Sequence, residues 1–164
     1  MFRNILVAID GSPSSDRALA EAIDLAGGSS RLTLLTAVNR PPGWACTPAT
    51  LPALESFSVT LEREAEEALK DAVERVPASL SVTKILTREP IREALNHRLA
   101  TGEYDLLVIG SRGRGALSAS LLGSVSHYAL NHSPIPVLIL HEDGSLPQPD
   151  RSRAKAAAAS SDGG

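Results

Sequence analysis

Two hydrophobic periods alternate along this chain with little interruption, and that alternation restricts its fold more than any other feature. Short apolar or alternating runs stand at Asn4–Asp10 (NILVAID), Leu32–Val38 (LTLLTAV), Leu80–Thr87 (LSVTKILT), Asp105–Gly110 (DLLVIG) and Val137–Leu140 (VLIL). Uninterrupted apolar runs of this length suit strands buried on both faces, as in parallel sheets. Between them the period becomes helical. Ala18, Leu19, Ala22, Ile23 and Ala26 share one side of the first such segment, with Ser14 as N-cap and Gly27-Gly28 as stop. Leu54, Ser58, Leu61, Ala65, Leu69, Val73 and Val76 form the seam of the second, which Pro77 ends. Pro90 suits the first turn of a third, with Ile91, Ala94, Leu95 and Leu99 on its seam and Gly102 behind it. Gly123–His132 (GSVSHYALNH) reads as the fourth.

The order is β-α-β-α-β-α-β-α-β. It predicts an α/β fold with a single doubly wound, five-stranded parallel sheet and helices on both faces. The length, 164 residues, suits one domain, and 43% hydrophobic residues supply a core. We expect that domain over residues 1–141 and a disordered tail over 142–164, where Pro, Ser, Ala, Gly and charge replace the apolar pattern. Asn39–Pro52, with four prolines, the single tryptophan and the single cysteine, reads as an irregular loop.

Several functions are disfavoured. Sixteen basic against 19 acidic residues give a formal charge of −3, no electrostatic case for nucleic acid. Cys46 has no partner for an intramolecular disulfide or a CxxC site. No stretch approaches the roughly 20 apolar residues of a membrane span, and the amino end does not resemble a signal peptide. A cytoplasmic location is expected by default. There is no GxxxxGK[ST], no GxGxxG after the first strand and no GxSxG. His97, His127, His132 and His141 lack zinc-site spacing and read as surface residues. Aromatics at 3% do not suit a flavin carrier, and no acidic cluster accompanies Asp10 as a phospho-receiver requires.

In a doubly wound sheet, ligands bind beyond the carboxyl ends of the strands, where the winding reverses. Loops after Asp10, Val38 and Gly110 would meet there. The last reads Gly110-Ser-Arg-Gly113, nine residues, then Gly123-Ser124-Val125-Ser126. Glycines let backbone N–H groups approach a phosphate without a Cβ in the way. Ser124 and Ser126 fall at the start of a helix, where free N–H groups and the positive dipole end favour an anion. Arg112 and Arg114 can offset its charge. The alternative is that the glycines only make a tight strand-to-helix connection.

G-x-x-G, nine residues, then G-[ST] resembles the nucleotide-binding signature of the ATP-binding universal stress proteins. NILVAIDGSPSSDRAL resembles their first strand and loop, LLTAV their second strand (where a histidine is common and Thr36 stands here), and LLGSVSHYALNHSPIPVLIL their last helix and strand. The likeness covers about residues 2–141. It implies the adenine nucleotide α-hydrolase-like sheet order 3-2-1-4-5, with ATP between strands 1 and 4. By matching position, Asp10 would stand at the ribose and adenine end with Ala8 and Ile9, and Ala37 would offer its backbone to the adenine edge. Ile109, Gly110, Arg112 and Gly113 would wrap the ribose and inner phosphates. Gly123, Ser124, Val125 and Ser126 would hold the outer phosphates, with Mg2+ or Mn2+. It also implies a homodimer through Val137, Leu138, Ile139 and Leu140, at an apolar edge strand. Ser118-Ala119-Ser120 departs from related loops, which often carry Lys or Arg there. No catalytic residue can be assigned. The chain is expected to use ATP as a bound signal in stress response, with slow hydrolysis or phosphotransfer, or ATP-independent dimerisation, as alternatives.

Overall fold

The computed structural model describes residues 2–38, 51–113 and 122–142. The elements follow in the expected order: β1 (Asn4–Ala8), α1 (Pro13–Leu25), β2 (Arg31–Ala37), α2 (Leu51–Arg75), β3 (Ser81–Thr87), α3 (Ile91–Leu99), β4 (Leu106–Gly110), α4 (Ser124–His132) and β5 (Val137–Leu140). They form one sheet of order β3-β2-β1-β4-β5, and every pairing in it is parallel.

The apolar runs become strands because both faces of the central sheet are covered. On one face Ile5, Val7, Leu32 and Val108 pack with Ala18, Leu19 and Ala22 of α1 and Leu69 and Ala72 of α2. On the other, Leu6, Leu35 and Leu107 meet Ala94, Leu95 and Leu99 of α3 and Ala129 of α4. Each large aliphatic side chain so buried stabilises the fold by about 1.5–3 kcal/mol. The alternating run became β3 for a related reason. It is an edge strand whose Val82 and Leu86 pack toward α2, while Ser81, Thr83 and Lys84 are exposed.

Local boundaries differ from the sequence expectation at three places. Ser12, not Ser14, is the N-cap of α1: its side chain accepts from the Ser15 amide, and Pro13 takes the first helical position. β1 ends at Ala8, although the Ile9 amide still reaches the Leu35 carbonyl at 2.9 Å. Leu51 and Pro52 belong to α2 rather than to the loop before it. Residues 39–50, 114–121 and 143–164, which hold Cys46, Arg114, Ser118-Ala119-Ser120 and all of the expected tail but Glu142, lie outside the described residues.

Among the described residues no helix is long and apolar enough to cross a membrane.

Candidate functional site

β1 and β4 are neighbours, and the chain leaves them in opposite directions. From β1 it passes into α1 on one face. From β4 it goes on to α4 on the other. The crevice between their carboxyl ends is the switch point.

At the end of β1, Gly11 has a φ of 73°, a conformation that costs glycine little and other residues more. This turn brings the chain back on itself. The Asp10 carboxylate then accepts from the Ser12 amide at 3.0 Å and the Ser12 hydroxyl at 2.5 Å. Asp10 therefore makes the turn contacts expected of an aspartate before Gly-Ser, whatever else it binds.

The β4 side is tied to this turn across about a hundred residues of sequence. The hydroxyl of Ser14 donates to the Arg112 carbonyl, and the Ser12 hydroxyl lies 3.3 Å from the same oxygen. A Cβ on Gly110 would meet Ser14 Oγ at 2.5 Å and Ser15 N at 2.8 Å. A Cβ on Gly113 would meet Asp10 Oδ2 at 2.6 Å. Gly110 is thus required by the packing of the β4 loop against the backbone of α1, while Gly113 leaves room for the Asp10 carboxylate.

α4 closes the group. The Gly123 amide donates to the Ser111 carbonyl at 2.6 Å, and Gly123 is the N-cap. The first backbone bond of the helix runs from His127 to Gly123, so the amides of Ser124, Val125 and Ser126 precede any intrahelical bond. Glycine has no side chain to cap them. α1, by contrast, is capped by its own Ser12. The amino end of α4 is the one suited to an anion. Arg92 steadies α4 from α3: it reaches the Ser124 carbonyl at 3.3 Å and stands 5.4 Å from the Tyr128 ring centre.

The Ser126 hydroxyl differs from expectation. It is buried and donates to the Gly110 and Ser111 carbonyls at 2.8 and 3.1 Å. A hydroxyl has one proton, so what Ser126 retains for an anion is its backbone N–H.

The predicted residues therefore fall into two groups. Asp10, Gly110, Arg112, Gly113, Gly123 and Ser126 are brought together by the contacts above, with Ser124 and Val125 on the same helix end. Ala8, Ile9 and Ala37 stand at or just past the carboxyl ends of β1 and β2, with Ile9 buried in the core. Ile109 is buried one residue before Gly110. Sequence reasoning missed the roles of Ser12 and Ser14, although three serines in the four-residue SPSS run beside a strand end were a visible signal. Thr36, noted in the sequence only for standing where a histidine is common, is 1% exposed, and its hydroxyl has no hydrogen-bond partner among the described residues.

A cleft of about 330 Å³ opens at this place, lined by Gly11, Ser12, Pro13, Ser14, Arg112, Gly113 and Glu142. That lies within the ~300–1,000 Å³ of small-molecule sites. A smaller hollow of about 140 Å³, lined by Leu35, Thr87 and residues of α3 and its ends, shares no residue with the glycine group. Among the described residues no set of three or more His, Cys, Asp or Glu side chains could hold a metal ion alone.

The model of the universal stress protein family matches residues 1–141. The chain belongs to the universal stress protein family. A universal stress protein of Mycobacterium tuberculosis is 36% identical over 141 residues, covering 84% of this chain and 45% of its own length. The chain thus spans about half of that relative. Universal stress protein YxiE of Bacillus subtilis is 33% identical over 150 residues, covering 85% of this chain and 99% of its own. Among solved structures, universal stress protein UspA from Lactobacillus plantarum superposes with a TM-score of 0.73 at 24% identity, over 84% of this chain and 97% of that one, a likeness of fold. A universal stress protein in complex with cAMP gives 0.61 at 27% identity, over 86% and 98%. The universal stress protein sheet order is the one observed here.

Proposed function

We propose that this universal stress protein binds an adenine nucleotide, ATP with Mg2+ or Mn2+, at the β1/β4 switch point, and serves as a nucleotide-dependent sensor in stress response. One observation carries the reading. The Asp10 turn, the Gly110–Gly113 loop and the uncapped amino end of α4 are bonded into one group beside an open cleft. Free amides at a helix start and a glycine loop are the parts a phosphate chain requires. The relative solved with cAMP supports an adenine nucleotide as the class of ligand.

In this reading Asp10, Ala8, Ile9 and Ala37 hold the adenosine end. Ile109, Gly110, Arg112 and Gly113 follow the ribose and inner phosphates, and the backbone of Gly123, Ser124, Val125 and Ser126 takes the outer ones. The phosphates fit the donor set, because amides and Arg112 offer protons and positive charge. The cation fits only as part of the nucleotide, carried mainly by its phosphates, since no carboxylate cluster stands ready for it among the described residues. The bound cation would neutralise phosphate charge. Ser126 does not suit a nucleophile's part, its proton being committed to main-chain carbonyls. Binding, rather than rapid turnover, is the function that the site favours. The compartment is the cytoplasm.

A homodimer through β5 belongs to the same proposal. All four residues of β5 are only half-buried at the edge of the sheet, and an apolar edge strand invites pairing.

The test is to release small molecules from the purified chain with acid and identify them, then to titrate the emptied protein with Mg-ATP by calorimetry. Co-purified adenine nucleotide or saturable binding supports the site. A folded protein with neither refutes it.

A further inference from the structure

We propose that Ser14 is a positioning residue of the nucleotide site: its hydroxyl fixes the direction in which the Gly113 amide points. The inference rests on the nucleotide reading and adds to it a residue outside the phosphate-binding loops.

Ser14 is 3% exposed and Ser12 6%. Both hydroxyls lie near the Arg112 carbonyl, and 3.3 Å from one another. Their roles separate by counting protons. A hydroxyl has one to give. That of Ser12 goes to the Asp10 carboxylate at 2.5 Å, the stronger, charged acceptor, while its oxygen accepts from the Ser15 amide. Ser14 is left as the donor to Arg112.

The Arg112 carbonyl and the Gly113 N–H belong to one peptide unit. The structure contains no cis bond among its described residues, and across a planar trans unit C=O and N–H point in opposite directions. Holding the carbonyl against the start of α1 therefore turns the Gly113 N–H away from α1. The Gly113 nitrogen lies 3.7 Å from where a Gly123 Cβ would stand, which puts it on the α4 side, beside the open amides of Ser124–Ser126. Ser14 thus sets the donor of one loop parallel in purpose with the donors of the helix. Gly110 makes this possible, since its absent Cβ leaves the space in which Ser14 Oγ sits.

The experiment compares Mg-ATP with adenosine, which lacks phosphates, on wild type and on Ser14→Ala by calorimetry. Loss of the buried hydrogen bond to the Arg112 carbonyl, which frees the Gly113 amide to turn, predicts that ATP affinity falls about five- to tenfold while adenosine affinity stays within about twofold. A merely structural role would weaken both ligands together, and that result, or no change in either, overturns the proposal. A second measurement uses wild type alone, in case the variant does not fold. Hydrogen exchange of the Arg112–Gly113 segment should slow clearly more with ATP than with adenosine; equal protection by both, or none, overturns it. Wild type that binds neither ligand would instead remove the nucleotide reading, and this role of Ser14 with it.

Discussion

A Cβ placed on Gly113 would stand 2.6 Å from Oδ2 of Asp10, so the glycine loop after β4 and the end of β1 are in direct packing contact. The obstructing atom is the end of a side chain. Gly113→Ala is therefore expected to fold, with Asp10 turned from the Ser12 hydroxyl and amide that it now accepts from. We predict a loss of about tenfold in ATP affinity, roughly 1.4 kcal/mol, with little change in the thermal midpoint. Calorimetry and thermal unfolding on the same sample check both parts.

Gly110→Ala should behave in the opposite way. There the obstruction includes backbone, at 2.7 Å from Ser14 C and 2.8 Å from Ser15 N. Helix α1 cannot step aside without disturbing Ala18 and Leu19 in the core. Overpacking of this kind costs about 1–3 kcal/mol, read as a lower urea midpoint.

Ser126→Ala removes the donor that serves the Gly110 and Ser111 carbonyls. Stability should fall by about 1–3 kcal/mol. Ser124→Ala, at an exposed position, should leave it within about 0.5 kcal/mol. Denaturant unfolding of the two variants separates a structural serine from an exposed one.

The sheet was legible because its inner strands β1, β2 and β4 are buried on both faces, and apolar runs such as LLVIG have few other places to go. Its order was not legible from periodicity. That came with the resemblance carried by Gly110, Gly113 and Gly123. Boundaries slipped where local chemistry competes: Ser12, Ser14 and Ser15 are all fit to cap a helix, and only the Arg112 carbonyl, distant in sequence, draws Ser14 away. For the same reason the glycines were read as room for phosphate. Their nearest neighbours, Ser14 and Asp10, become neighbours only once β1 and β4 pair. The Thr36 position drew notice as one where a histidine is common, but the burial of its hydroxyl was not legible from the run LLTAV.

Glu142 lines the same cleft from the end of β5 and is exposed. It opposes an incoming anion. Glu142→Gln should raise ATP affinity about twofold at low ionic strength, and the gain should vanish near 1 M salt, where the screening length is about 3 Å. Titrations at two salt concentrations decide it.

Ile139 belongs to neither core cluster and is half-buried on β5. If β5 is the dimer edge, Ile139→Lys should give a monomer by light scattering with the fold intact, since charge on an edge strand blocks pairing. An unchanged mass removes β5 as the interface.

The central claim is that the switch point binds adenine nucleotide, and titration of the full chain with Mg-ATP beside Gly113→Ala/Gly123→Val tests it most directly. The account predicts saturable binding by the wild type and none by the folded double variant. Equal binding by both, or by neither, would contradict it and leave the glycines as nothing more than a close-packed connection from β4 to α4.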